Sequence, residues 1–282
     1  MSRKNIFEIV NEKFDLHREI LRMKRLFEDE EIMEDDLYTY TILEAVKDVG
    51  FAAWKNRGRC VDAEDFLSRL NYDFLWNNAT NSETDLLTLI EIIYNFWYIV
   101  YKKTDLSFCD CEREKRFFLL KEIMDECLTQ YNYKGEYFPD LAQLIVVEDK
   151  PEATAVAEIV DKEIARKILR YNHYTLKGNL SAKKEILIAL GAELEPKRKQ
   201  LHTIHSSLED GIFYILNNMN LRHNNKIPGD KNYNQTVAEM DNDTLEGWYD
   251  ELYQMILLAH LQLDQIDRDA KVKALKQTAS GG

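Results

Sequence analysis

The sequence predicts an all-α protein, and three observations carry that expectation. Breakers are scarce, with 10 Gly and 4 Pro in 282 residues. Strong helix formers, chiefly Leu, Glu, Lys, Ile and Ala, fill the long runs between them. Within those runs apolar residues recur at three- and four-residue spacing. Hydrophobic residues make up 45% of the chain, enough for a real core. The turn-rich stretch "YNYKGEYFPD" and the break "EDKPEAT" divide it into two expected parts. These are an N-terminal helical domain, 1–145, and a C-terminal helical domain, 146–282.

In the N-terminal part, Ile6, Ile9, Val10, Phe14, Leu16, Ile20 and Leu21 predict a helix over 4–27. The acidic patch "FEDEEIMEDD" then reads as a solvated turn. A second helix is expected from Leu37 to Trp54, stopped at Gly58. A short third helix opens at Asp62 and runs through Leu70. Ser82 is the expected N-cap of the most apolar run, "DLLTLIEIIYNFWYIVYKK". Glu91 and Asn95 interrupt that run, so it reads as a buried helix and not a membrane span. A further helix is expected over 111–131.

The C-terminal part begins with a helix over 152–176 that ends at Gly178, a residue suited to a left-handed C-terminal position. Ser181 opens a shorter helix that Gly191 stops. A helix over 193–219 follows, with Pro196 in its first turn and Leu201, Ile204, Leu208, Ile212, Ile215 and Met219 as its apolar stripe. The last helix is expected from Asp243, where Asp243 and Glu246 stand at capping-box spacing, with "KQTASGG" as a frayed tail.

The net charge of −13 argues against nonspecific binding to DNA or anionic lipid. Residues 162–199 depart from it, with ten basic side chains against four acidic ones, a local +6 that leaves −19 on the remainder. "MSRKNIFEIV" carries no long apolar leader segment. The expectation is therefore a cytoplasmic protein whose Cys60, Cys109, Cys111 and Cys127 are reduced. Cys109-Asp110-Cys111 lacks metal-site spacing. His202 and His205 stand i, i+3 without an H-E-x-x-H register. No metal and no cofactor are expected.

Between the last two long helices lies "LNNMNLRHNNKIPGDKNYN", residues 216–234. This corner crowds Asn217, Asn218, Asn220, Arg222, His223, Asn224 and Asn225 together. Asparagine suits helix ends and left-handed turns, which accounts for two or three of them. The Arg-His pair has a chemical reading. A guanidinium matches a phosphate, and an imidazole both takes and gives a proton near neutral pH. Metal-free RNA cleavage needs those two functions: a base for the attacking 2′-hydroxyl and a cation for the charge that develops on the phosphate oxygens.

The order "YTLKGNLSAKKEIL", helix, "LNNMNLRHNN", helix resembles the C-terminal region of bacterial abortive-infection proteins, which carry a HEPN-type four-helix bundle. The resemblance covers about 152–269. It implies an antiparallel bundle, paired into a homodimer, acting as a metal-independent antiphage ribonuclease. On that reading Arg222, His223, Asn218 and Asn220 are catalytic. Arg198, Lys199, Asn224 and His205 bind RNA, and 1–145 is a sensor. The family's usual signature separates Arg from His by four to six residues. Here the pair is adjacent, and a six-residue spacing falls instead at Arg198–His205 and Arg166–His173. The alternative is a catalytically silent helical protein that recognises a phage or host protein.

Overall fold

The structure is a computed structural model that describes residues 13–103, 107–108 and 110–280. The chain is mostly helical, 69% helix with 7% strand. It divides after Asp149 into two compact units. The expected boundary at 145/146 falls inside a strand, so the helical expectation fails at the place where it was used to separate the halves.

In the first unit, α1 (Leu16–Lys24) is capped by Asp15, whose carboxylate accepts from the Arg18 amide at 3.2 Å. The 4–12 part of the helix expected over 4–27 lies outside the described residues. The chain then widens into a π turn, Arg25–Asp29. The acidic patch is not a solvated turn. Phe27, Ile32 and Met33 are buried, and β1 (Met33–Glu34) pairs antiparallel with β2 (Thr39–Tyr40) and β3 (Ser107–Phe108). Glu28 accepts from the Tyr72 hydroxyl at 2.7 Å and the Trp76 indole at 2.8 Å, and Glu30 pairs with Arg25 and Arg116. Each of those acids has a partner 44 or more residues away, which local charge density cannot reveal.

The expected second helix is in pieces. Thr41 and Glu44 form a capping box that starts α2 (Ile42–Ala45). A π turn, Val46–Gly50, leads into α3 (Phe51–Ala53). Short helices α4 (Ala63–Arg69), capped by Asp62, and α5 (Tyr72–Asn78) follow. The central helix α6 (Glu83–Lys103) is buried around most of its circumference, as an apolar run of that length requires. Then come α7 (Cys111–Gln130), β4 (Tyr133–Phe138) and β5 (Gln143–Glu148), the last two an antiparallel hairpin.

Glu91 and Asn95 serve that hairpin. The Asn95 amide donates to the Leu144 carbonyl at 2.8 Å and accepts from the Leu144 amide at 2.9 Å. Glu91 accepts from the Val146 amide at 2.6 Å. Two polar residues in an apolar helix thereby satisfy the free edge of β5, an edge that would otherwise bury unpaired backbone groups. No helix among the described residues is long and apolar enough to cross a membrane.

The second unit is a helical bundle around one core. The helix expected over 152–176 is interrupted. α8 (Pro151–Ala157) has proline at its first position, and Asp161 caps a fresh start for α9 (Lys162–Tyr171), accepting from the Glu163 and Ile164 amides. A 3₁₀ turn, Tyr174–Leu176, ends at Gly178, which takes φ +77° as its stop role requires. Helix α10 (Leu180–Leu194), capped by Asn179, runs straight through Gly191. Gly191 marks close packing and not a stop: a Cβ there would lie 2.7 Å from a Leu216 methyl.

After a 3₁₀ turn over Glu195–Lys197, the expected 193–219 helix is two helices, α11 (Arg198–Ile204) and α12 (Ser206–Asn218). They break at His205. The short α13 (Gln235–Glu239) follows, and α14 (Asn242–Ser280) closes the chain. Asp241, not Asp243, caps α14 by accepting from the Thr244 amide at 2.8 Å. Most of the tail expected to fray is helical through Ser280.

A polar network, buried except at Asp250, ties α9, α10 and α14 together. Lys183 lies within 2.7 Å of Glu246 and 2.6 Å of Asp250. Tyr171 donates to Asp250 at 2.8 Å and stacks on Tyr253 at 4.1 Å, and the Asn172 amide donates to the Tyr253 hydroxyl at 2.7 Å. Glu246, expected in the capping box, is committed to Lys183 and to the Gly178 amide. Burial and the Asp250 carboxylate push the Tyr171 hydroxyl far up, so it acts as a donor at every physiological pH.

Candidate functional site

The corner after α12 is built from backbone requirements. The helix ends because Asn220 turns left-handed at φ 57°, a conformation asparagine tolerates better than most residues. The Arg222 amide then donates back to the Leu216 carbonyl at 2.9 Å. Asn225 is 1% exposed and works as a bracket. Its side-chain oxygen accepts from the Asn220 amide and its side-chain amide donates to the Asn232 carbonyl, each at 2.8 Å. Asn234 caps α13, and Asn218 donates to the Tyr214 carbonyl on its own helix at 2.8 Å. Lys184 reaches in from α10 to donate to the Asn220 carbonyl, and burial lowers its pKa.

Arg222 is engaged with the bundle. Its guanidinium lies 2.8 Å from Glu195 and 5.5 Å from the centre of the Phe213 ring. Phe213 also meets Arg198, whose guanidinium is 4.2 Å from the ring centre. Arg198 in turn donates to Glu209 and lies 3.8 Å from Glu195. His202 holds the other Glu209 oxygen at 2.9 Å. Two arginines, one histidine, two carboxylates and one aromatic ring thus form a single charge network beside the corner.

Glu209 is buried, at 3% exposure. Burial by itself raises its pKa, but the hydrogen bonds from His202 and Arg198 and the Arg198 charge outweigh that and hold it below the ordinary value. The network supplies what a buried carboxylate needs. His202, Glu209 and Asp210 bring ligand-type atoms within 4.8 Å of one another, but both Glu209 oxygens are already engaged, one by Arg198 and the other by His202.

The residues expected to act together have separate fates. Arg222 belongs to the charge network, Asn218 bonds within its helix, and Asn220 forms the turn. His223 and Asn224 are exposed, and neither side chain has a hydrogen bond or ion pair among the described residues. Arg198, expected on RNA, is committed to Glu209 and Phe213. Lys199 is exposed and unpaired. His205 is the N-cap of α12, accepting from the Leu208 amide at 3.2 Å. His173 is likewise a local cap, 2.7 Å from the Thr175 hydroxyl. Half of the ten basic side chains of 162–199 pair with carboxylates: Arg166, Lys167 and Lys197 with acids of the same segment, and Lys183 and Arg198 with Glu246 and Glu209 beyond it.

Sequence reading missed Glu195 and Glu209 as the partners that decide the fate of the arginines. One signal was available: Glu209 stands beside Leu208 within the stripe Leu208, Ile212, Ile215, where an acid has to be paired. Sequence reading gave His260, on α14, no part in a site. It is buried at 4% exposure, yet its Nε2 has no hydrogen-bond partner.

Set against known proteins, the chain matches no family model, no curated protein and no solved structure.

Proposed function

We propose that this chain is a non-catalytic helical binding protein that recognises a phage or host protein. One observation carries that reading. The cation a ribonuclease centre would need at the corner, Arg222, is held 2.8 Å from Glu195 and over Phe213, which leaves His223 without it. Surface chemistry supports the same choice. The chain is acidic overall, which repels a polyanion, and half of the basic side chains in its one basic run are paired with carboxylates. Exposed Leu258 and Leu261 stand one turn apart on α14, offering apolar contact to a protein. The test is co-purification from infected and uninfected cells, with the wild type and an Arg222→Ala/His223→Ala variant compared. The same partner captured by both, with cellular RNA intact, is the expected result. RNA fragments made by the wild type and absent with the variant would reject it.

A second reading keeps the abortive-infection ribonuclease and rests on His223. An exposed, unpaired imidazole is free to move a proton, and Lys184, bonded to Asn220, supplies a nearby cation. In this reading Arg222 must leave Glu195 before it can meet phosphate, so Glu195→Gln would raise RNA cleavage while His223→Ala abolishes it. Light scattering of the purified chain decides whether a second copy is a partner.

A further inference from the structure

A cleft of about 360 Å³ opens in the second unit between the end of α8, the end of α10 and α14. Asp161, Glu193, Lys197, His260, Asp264 and Asp267 supply its charged and titratable lining. Four carboxylates against one ammonium leave it negative, a field that draws cations. Most of these groups have protein partners. Asp161 caps α9, Asp264 pairs with Arg268, and one Glu193 oxygen accepts from Lys197.

Two atoms remain. His260 Nε2 and Glu193 Oε2 are both buried, and neither has a hydrogen-bond partner. They lie 3.4 Å apart, a separation that permits an ion pair with a protonated imidazole but is longer than an ordinary hydrogen bond. A buried polar atom without a partner costs about 1–3 kcal/mol, so two side by side at the wall of a cleft mark a place shaped for something else. Their separation names it. Two ligands about 2.1 Å from one tetrahedral ion stand roughly 3.4 Å from each other. Imidazole nitrogen with carboxylate oxygen is a donor set for zinc and its first-row neighbours, whereas calcium and magnesium take oxygen alone. The remaining cleft volume admits water to complete the coordination.

We propose that this cleft binds one divalent first-row transition-metal ion of the zinc class, with His260 Nε2 and Glu193 Oε2 as its protein ligands. The site is independent of the reading of the corner. Lys197 holds the other Glu193 oxygen and fixes the carboxylate in place.

The test uses the full chain stripped with chelator and titrated with Zn²⁺ by calorimetry and with Co²⁺ by visible absorption. One ion per chain is expected, together with a rise in the thermal midpoint on adding Zn²⁺. Glu193→Gln and His260→Gln should each weaken binding about tenfold or more, and His202→Gln should leave it unchanged. No uptake at millimolar Zn²⁺, or undiminished affinity in Glu193→Gln, overturns the proposal. So does loss of binding in His202→Gln, which would place the ion at Glu209. Should the His260 variant fail to fold, zinc-edge anomalous diffraction from the unmodified chain decides. A peak between the two named atoms supports the site, and a peak elsewhere or none removes it.

Discussion

The corner at 216–234 and the cleft at His260 are both polar places in one helical unit, and they use their polar groups in opposite ways. The corner is crowded in sequence and satisfied in space. Asn225 completes two backbone hydrogen bonds, Arg222 has Glu195, and Asn220 spends its tolerance of positive φ on a helix end. The cleft is inconspicuous in sequence and unsatisfied in space. Its histidine sits in an ordinary amphipathic helix, and its glutamate is one of two acids on α10, yet among the described residues both present a buried atom with no hydrogen-bond partner. Density of polar residues along a chain therefore marked a structural demand, and an isolated polar residue marked the opening for a ligand.

Three substitutions test the contrast, in order of expected size. Asn225→Ala strands the Asn220 amide and the Asn232 carbonyl and should destabilise the chain by about 2–4 kcal/mol in urea unfolding. A loss under about 1 kcal/mol would show that the bracket is not what holds the corner, and the comparison would fail on that side.

Glu209→Gln removes the negative centre that Arg198 and His202 share, and about 1–3 kcal/mol should go at neutral pH. Its pH dependence carries more information. The folded-state pKa of Glu209 lies below its ordinary 4.5. The stabilisation is therefore complete above that value and is lost as pH falls through the folded one. The wild-type unfolding midpoint should fall more steeply than the variant's as pH drops below 4.5. Parallel acid limbs would mean that the carboxylate is not held as the geometry indicates.

His260→Leu should change stability least, by about 0–1 kcal/mol in either direction in chelator-treated protein, because it replaces an unpartnered polar group with an apolar one of similar bulk. A loss comparable to that of Asn225→Ala would mean His260 has a partner in solution, and the two regions would no longer differ in kind.

Much of the local architecture was legible in advance. Asp62, Ser82 and Gly178 do what their residue types dictate, and the central apolar helix stands where its run of Leu, Ile, Phe and Trp requires. The errors share one cause. Gly191 was read as a stop because glycine breaks helices in isolation; only the approach of Leu216 shows that the missing side chain is what the packing needs. Asp243 and Glu246 had capping-box spacing, yet Lys183, some sixty residues earlier, claims Glu246. The strand β4 was read as part of a turn-rich joint because its partner strand β5 is held by α6, through Glu91 and Asn95, some fifty residues earlier.

The sequence by itself determined the helical character of the chain, most helix starts and the burial of the central helix. Those follow from propensity, capping and periodicity, which act over a few residues. Tertiary structure alone decided which charges are spent and which remain. Arg222 and Arg198 found carboxylates across a turn or a helix, while His260 and Glu193, 67 positions apart, were brought to 3.4 Å without a hydrogen bond between them. Pairing depends on distance in space, and chain order does not encode that distance.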